Sequence, residues 1–283
     1  SFVCNKKINR AGCVFMLKRI ISAVVLLALV AVCFVLSTET AVLLIVVCGV
    51  LCCFELGNAL KKLERNPVAP LAFAFVIGSA LIIYFKLSLV LLVALLGAIF
   101  LADFVICMAS KKYTAQDALA TLGMLIYPCL PVVAVVYICT LPSPLWVVVF
   151  LTGFLSAVSC DTFALFGGMA FGKHKLAPTV SPKKTIEGSI SGMVVTVAIS
   201  AGAWLLFKDY IDCNMWLYML TVLICTVTSQ IGDLSASFIK REAGIKDFGN
   251  LIPGHGGMLD RIDSIIFSVP TAYVFLYLFE KIK

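Results

Sequence analysis

The residues best able to do chemistry lie between Ser237 and Asp263, reading SFIKREAGIKDFGNLIPGHGGMLDRID. Lys240, Arg241, Lys246 and Arg261 supply positive charge, and Asp247, Asp260 and Asp263 supply the hard oxygen donors that Mg²⁺ prefers. Gly249, Gly254, Gly256 and Gly257, with Pro253 among them, exclude a membrane-crossing helix here. Glycines of this kind let backbone N–H groups come close to a phosphate. Cations for phosphate beside carboxylates for a metal predict phosphoryl or nucleotidyl transfer. His255, set among these glycines, is expected to contact phosphate or nucleotide.

A second stretch, Asp161 to Gly188, reads DTFALFGGMAFGKHKLAPTVSPKKTIEG. Ser181 before Pro182 predicts a helix start with proline at the first helical position. Such an N-terminus beside Lys183 and Lys184 is suited to a nucleotide phosphate. Gly167, Gly168 and Gly172 punctuate Phe163, Phe166 and Phe171, which fits either a helix lying along the membrane surface or an aromatic belt at the interface. His174 stands between Lys173 and Lys175 and reads as a solvated loop residue.

The elements that must position these groups are helices. Gln230, Asp233, Ser237 and Lys240 follow one another at spacings of three, four and three, so they share one helical face. Asp233 precedes Lys240 by roughly 10 Å along that helix. A charged carboxylate at that depth has to line a polar cavity, pair with a cation or hold a metal. Asp260 and Asp263 project from one face of the next helix's first turn, where carboxylates are electrostatically favoured. Asp233 on one helix and Asp260 on the next can therefore converge on one ion, with Asp263 and Asp161 supporting it.

Both stretches resemble the phosphatidate cytidylyltransferases (CDP-diacylglycerol synthases). In the first, Ser237, Lys240, Arg241, Lys246, Asp247, Gly249, His255, Gly256, Gly257, Asp260, Arg261 and Asp263 fall on the family's pattern. In the second, Asp161, Gly172-Lys173 and the run Ser181-Pro182-Lys183-Lys184-Thr185-Ile186-Glu187-Gly188 do so. The resemblance implies transfer of CMP from CTP to phosphatidic acid. It also implies Mg²⁺ held by Asp233 and Asp260, with a second cation such as K⁺ nearby. Lys240 and Arg261 would join the carboxylates in catalysis. Ser181, Lys183, Lys184, Glu187, Ser237, Arg241, Lys246, Asp247, His255, Gly256, Gly257 and Asp161 would line the substrate site.

Composition says what surrounds the site. The chain has 283 residues, 62% hydrophobic and 13% charged, with a mean hydropathy of +1.09. Soluble domains are about 45–50% apolar and about 25% charged. We therefore expect an all-α polytopic membrane protein with about nine transmembrane helices and a polar active-site cavity on the cytoplasmic side. The expected spans are 20–36, 41–60, 68–85, 87–109, 116–140, 143–168, 186–207, 214–239 and 262–280. Of the 22 Lys and Arg, this arrangement leaves Lys86, Lys208, Lys281 and Lys283 on one side and all others opposite. Positive charge marks the cytoplasmic face, so the N-terminus and both motif loops are expected there, in the cell (inner) membrane.

The net charge of +7 then reflects topology, and no nucleic-acid partner is expected. Residues 1–15 read as an extension ahead of Met16, followed by an uncleaved first span. Residues 16–140 read as N-terminal transmembrane helices, and 141–283 as the catalytic region. Glu55 and Asp103 are expected to serve packing or oligomer contacts, a homodimer being one such assembly. The 12 cysteines form no C-x-x-C pair, and most sit in apolar runs, so they read as packing residues. A CTP-dependent polyprenol or phytol kinase and an ion-coupled transporter are the competing function classes. The transporter reading lacks the repeated halves such proteins show.

Overall fold

The computed structural model describes residues 25, 28, 30–34, 36–211, 213–251 and 256–281. The extension 1–15, most of the first expected span and His255 lie outside the described residues. The chain is an all-α polytopic membrane protein. Seven helices among the described residues are long and apolar enough to cross a membrane.

The N-terminal half consists of α1 (Thr38–Lys62), α2 (Ala69–Tyr84), α3 (Leu89–Ala109), α4 (Ala115–Met124) and α5 (Leu130–Cys139). Ser37 caps α1 by accepting from the Thr40 amide at 3.2 Å. A π-helical segment, Leu125–Cys129, joins α4 to α5 at Pro128 and lets the pair run as one kinked span. At 16 residues, α2 is shorter than a full crossing. On α3, Val90, Val93, Leu101 and Met108 are exposed, as suits a helix facing hydrocarbon.

The C-terminal half consists of α6 (Leu145–Phe171), α7 (Ile186–Phe207), α8 (Met215–Glu242), the single turn α9 (Leu259–Ile262) and α10 (Ile265–Lys281). Helices α6, α7 and α8 pack on one another, and α10 packs on α5, α6 and α8. Small residues allow the close crossings, as in other membrane helix pairs. A Cβ on Gly188 would sit 2.6 Å from the Ala164 carbonyl, and one on Gly192 2.6 Å from that of Cys160. A Cβ on Gly232 would collide with the Asp263 carbonyl, so only glycine lets α8 approach the start of the last span this closely.

Eight of the expected stretches coincide with helical segments, and two local expectations are corrected. Residues 161–171 do not form a separate helix on the membrane surface; they complete the 27-residue α6. Gly167 and Gly168 there face Ser191 and Gly188 of α7 and serve packing. Nor does a helix start at Ser181. Residues Ser181–Thr185 form β2, paired antiparallel with β1 (Lys175–Ala177) in a short hairpin. The cap of α7 is Thr185, whose Oγ1 accepts from the Gly188 amide at 3.1 Å. Pro182 lacks an N–H and is tolerated on the edge of a two-stranded ribbon.

Candidate active site

The hairpin, α6, α7 and α8 enclose a cavity of about 490 Å³. Its lining includes Asp161, Lys183, Lys184 and Asp233 together with the apolar Leu165, Met169 and Leu176. Gln230 braces this wall: its amide nitrogen donates to Cys160 Sγ at 3.1 Å, and its oxygen accepts from Ser189 Oγ. A larger cleft of about 680 Å³ lies among Leu56, Tyr127, Ile231, Phe238 and Phe267, and among the described residues no charged side chain lines it.

Two lysine–aspartate pairs organise the charge. Lys184, brought in by β2, contacts Asp233 Oδ2 on α8. Burial pushes the Lys184 ammonium below its ordinary pKa, and the charges of Asp161 and Asp263 oppose that shift. Lys240, two turns further along the same face of α8, donates to Asp260 Oδ1 at 2.7 Å. Asp260 Oδ2 also accepts from the amides of Phe248 at 2.8 Å and Gly257 at 3.0 Å. A third link joins α6 to the last span. Ser264 Oγ donates to Asp161 Oδ2 at 3.3 Å, and the Ser264 amide donates to Asp263 Oδ1 at 2.8 Å. Asp263 in turn lies within electrostatic reach of Lys240, Asp161 and Asp260. The tertiary structure therefore gathers carboxylates and ammonium groups from α6, β2, α8 and the segment 260–263 into one charge cluster.

Other expected residues take positions the sequence did not indicate. Glu187 is engaged within the protein: it accepts from the amides of Lys173 at 3.0 Å and His174 at 3.1 Å, and from His174 Nδ1 at 2.6 Å. His174 is an exposed loop residue, as its sequence reading expects, and it has a partner that reading did not supply: the hairpin folds it back onto Glu187 in the first turn of α7. Arg241 clamps the hairpin, donating through Nε to the Val180 carbonyl at 3.2 Å and through Nη1 to that of Ile245 at 3.4 Å. Ser237 is buried, while Lys183, Lys246, Asp247 and Arg261 are exposed. Ser181 is half-buried in β2. Gly256 adopts φ +88°, a conformation suited to glycine, and its Cα faces Asp247.

Sequence reasoning assigned Glu55 to packing. The structure places its carboxylate in the glycine-rich segment, where Oε1 accepts from the Met258 amide at 2.9 Å and Oε2 from the Leu259 amide at 2.8 Å. Its only sequence signal was a carboxylate inside an apolar run, which has to find partners.

The chain matches a family model over residues 17–279, and the family is described as the cytidylyltransferase family. The chain belongs to the cytidylyltransferase family. It is 43% identical over 126 residues to the phosphatidate cytidylyltransferase of Staphylococcus haemolyticus, and equally so to that of Staphylococcus aureus. It is 39% identical over 126 residues to that of Staphylococcus saprophyticus. These alignments cover 44% of this chain and 48% of each relative, so the chain spans about half the length of the curated relatives it matches.

The sequence leads to the expectation of Mg²⁺ beside these carboxylates. Among the described residues, no three His, Cys, Asp or Glu side chains are grouped to hold a metal ion as they stand. The donor chemistry nevertheless fits a hard cation. Asp233 already holds one positive charge, the Lys184 ammonium. Asp260 Oδ1 accepts one hydrogen bond, and a carboxylate oxygen can accept two.

Proposed function

We propose that this protein transfers CMP from CTP to phosphatidic acid, yielding CDP-diacylglycerol and pyrophosphate. The observation that carries this reading is the cavity, whose lining combines Asp161, Asp233, Lys183 and Lys184 with the apolar Leu165, Met169 and Leu176. A nucleotide triphosphate needs the first set and a diacylated lipid needs the second. The names of the relatives, phosphatidate cytidylyltransferases, point the same way.

The chemistry needs no covalent nucleophile. A phosphomonoester, with a second pKa of about 6, is already close to a dianion at neutral pH. Its oxygen attacks the α-phosphorus of CTP, the bond from that phosphorus to the bridging oxygen breaks, and pyrophosphate leaves with the electron pair. Catalysis then depends on alignment and on charge placed where the transition state needs it. Lys183 and Lys184 bind phosphate from the cavity wall, and Lys240 and Arg261 add positive charge at the start of the last span. Ser181, Ser237, Lys246, Asp247, His255 and Gly256 complete the substrate surround. Glu187, Arg241 and Gly257 contribute by holding the hairpin and the glycine segment.

Asp233, Asp260 and Asp263 would hold Mg²⁺, with Asp161 in support and K⁺ as a candidate second cation. Bound there, Mg²⁺ would offset charge on the triphosphate. In the same proposal the cavity opens to the cytoplasm from the inner membrane, and the protein works as a homodimer. The deciding experiment supplies CTP with and without phosphatidic acid in Mg²⁺ buffer. Pyrophosphate and CDP-diacylglycerol are the expected products. Release of CDP with a newly phosphorylated lipid would replace this reading with a lipid kinase.

A further inference from the structure

The glycine segment is held from outside by a residue of the N-terminal half. Glu55 lies on α1 and is buried, with 5% of its surface exposed. Its two carboxylate oxygens each take one amide, Met258 on Oε1 and Leu259 on Oε2. The preceding amide, Gly257, goes to Asp260 Oδ2, which Phe248 also reaches. Three successive N–H groups are thus divided between a carboxylate inside the segment and one on a distant helix. The glycines are shaped to the same purpose. A Cβ on Gly249 would lie 2.6 Å from Glu55 Oε1, and one on Gly257 2.5 Å from Oε2. Two of the motif's glycines therefore make room for this carboxylate, and the amides at 257–259 are not available to a phosphate.

We infer that Glu55 is a positioning residue for the transfer reaction: it fixes residues 257–259 so that Asp260 meets Lys240 and the charge cluster in the correct place. This rests on the proposed function for its consequence, though not for its geometry. Here each amide has an oxygen of its own, and a glutamine side chain would put an NH₂ donor in place of one of those two acceptors. An aspartate at this position is one methylene too short to keep both.

The test combines kinetics with amide hydrogen exchange on the full chain in detergent. Glu55→Ala is expected to lower kcat about 100-fold through misplacement of Asp260, with KM for CTP changed by no more than about twofold. Glu55→Gln, which keeps one acceptor and the side-chain volume, is expected to lose about tenfold. Glu55→Asp should resemble the alanine variant. Exchange at Met258 and Leu259 should accelerate in Glu55→Ala while the amides of α1 and α5 stay protected.

Wild-type kcat in either the alanine or the glutamine variant would overturn the inference. So would unchanged exchange at 258–259, or acceleration spread evenly through α1 and α5, which marks a helix-packing role. Should Glu55→Ala not fold, Glu55→Gln carries the same two readouts. Absence of CMP transfer in the wild type would sink the proposed function alone, because the exchange measurement needs no substrate.

Discussion

Lys184–Asp233 and Lys240–Asp260 are the same chemistry in two surroundings. The first pair lines the cavity, with its side chains 30% and 22% exposed. The second is sealed, at 10% and 2%, and its aspartate also accepts two backbone amides. A cavity-lining pair can change partners at small cost, because water and ligand replace what each ion loses. A sealed pair cannot, because breaking it strands a charge away from water. Lys184–Asp233 is thus placed to exchange its contact for phosphate and a cation. Lys240–Asp260 is placed to hold the start of the last span where the reaction needs it.

Six substitutions break or sharpen this contrast. The largest effect is expected for Asp260→Ala, which orphans Lys240 and two amides and should cost about 3–5 kcal/mol of stability, read as a lowered Tm in detergent. The milder Asp260→Asn should insert and fold yet lose turnover, and wild-type turnover in it would remove Asp260 from the mechanism. Next comes Asp233→Asn, expected to abolish CMP transfer while moving stability by less than about 1 kcal/mol. A melting shift as large as that of Asp260→Ala would erase the distinction between the pairs. Lys184→Met should raise KM for CTP by about tenfold through loss of a charge-assisted phosphate contact, with Tm near wild type. Equal destabilisation by Lys184→Met and Lys240→Met would count against the contrast. The smallest effect is expected for His174→Ala, because Glu187 keeps its two backbone donors. Its activity should stay close to wild type, and a large loss would assign His174 a part in substrate binding.

How far the sequence could be read follows from which interactions are local. The membrane helices were legible because each is a long apolar run, and burial in lipid requires every backbone group to be satisfied within its own segment. Asp233 and Lys240 were legible as one face of one helix, since helical spacing alone puts them there. The hairpin was not legible. SPKKT carries a serine and a proline that favour a helix start, and only pairing with Lys175–Ala177 makes it a strand. The partner of His174 was missed for the same reason, as Glu187 reaches it through the fold of that hairpin.

Sequence by itself determined the class of the protein, its apolar spans and the two stretches that carry its charged groups, because composition and periodicity act within a few residues of each side chain. Which aspartate sits on which lysine was decided only in three dimensions. So was the seating of Glu55 against Met258 and Leu259, two hundred residues along the chain. Ion pairs and carboxylate–amide contacts act over a few ångströms of space, and the packing of α8 on the last span through Gly232 is what brings those few ångströms about.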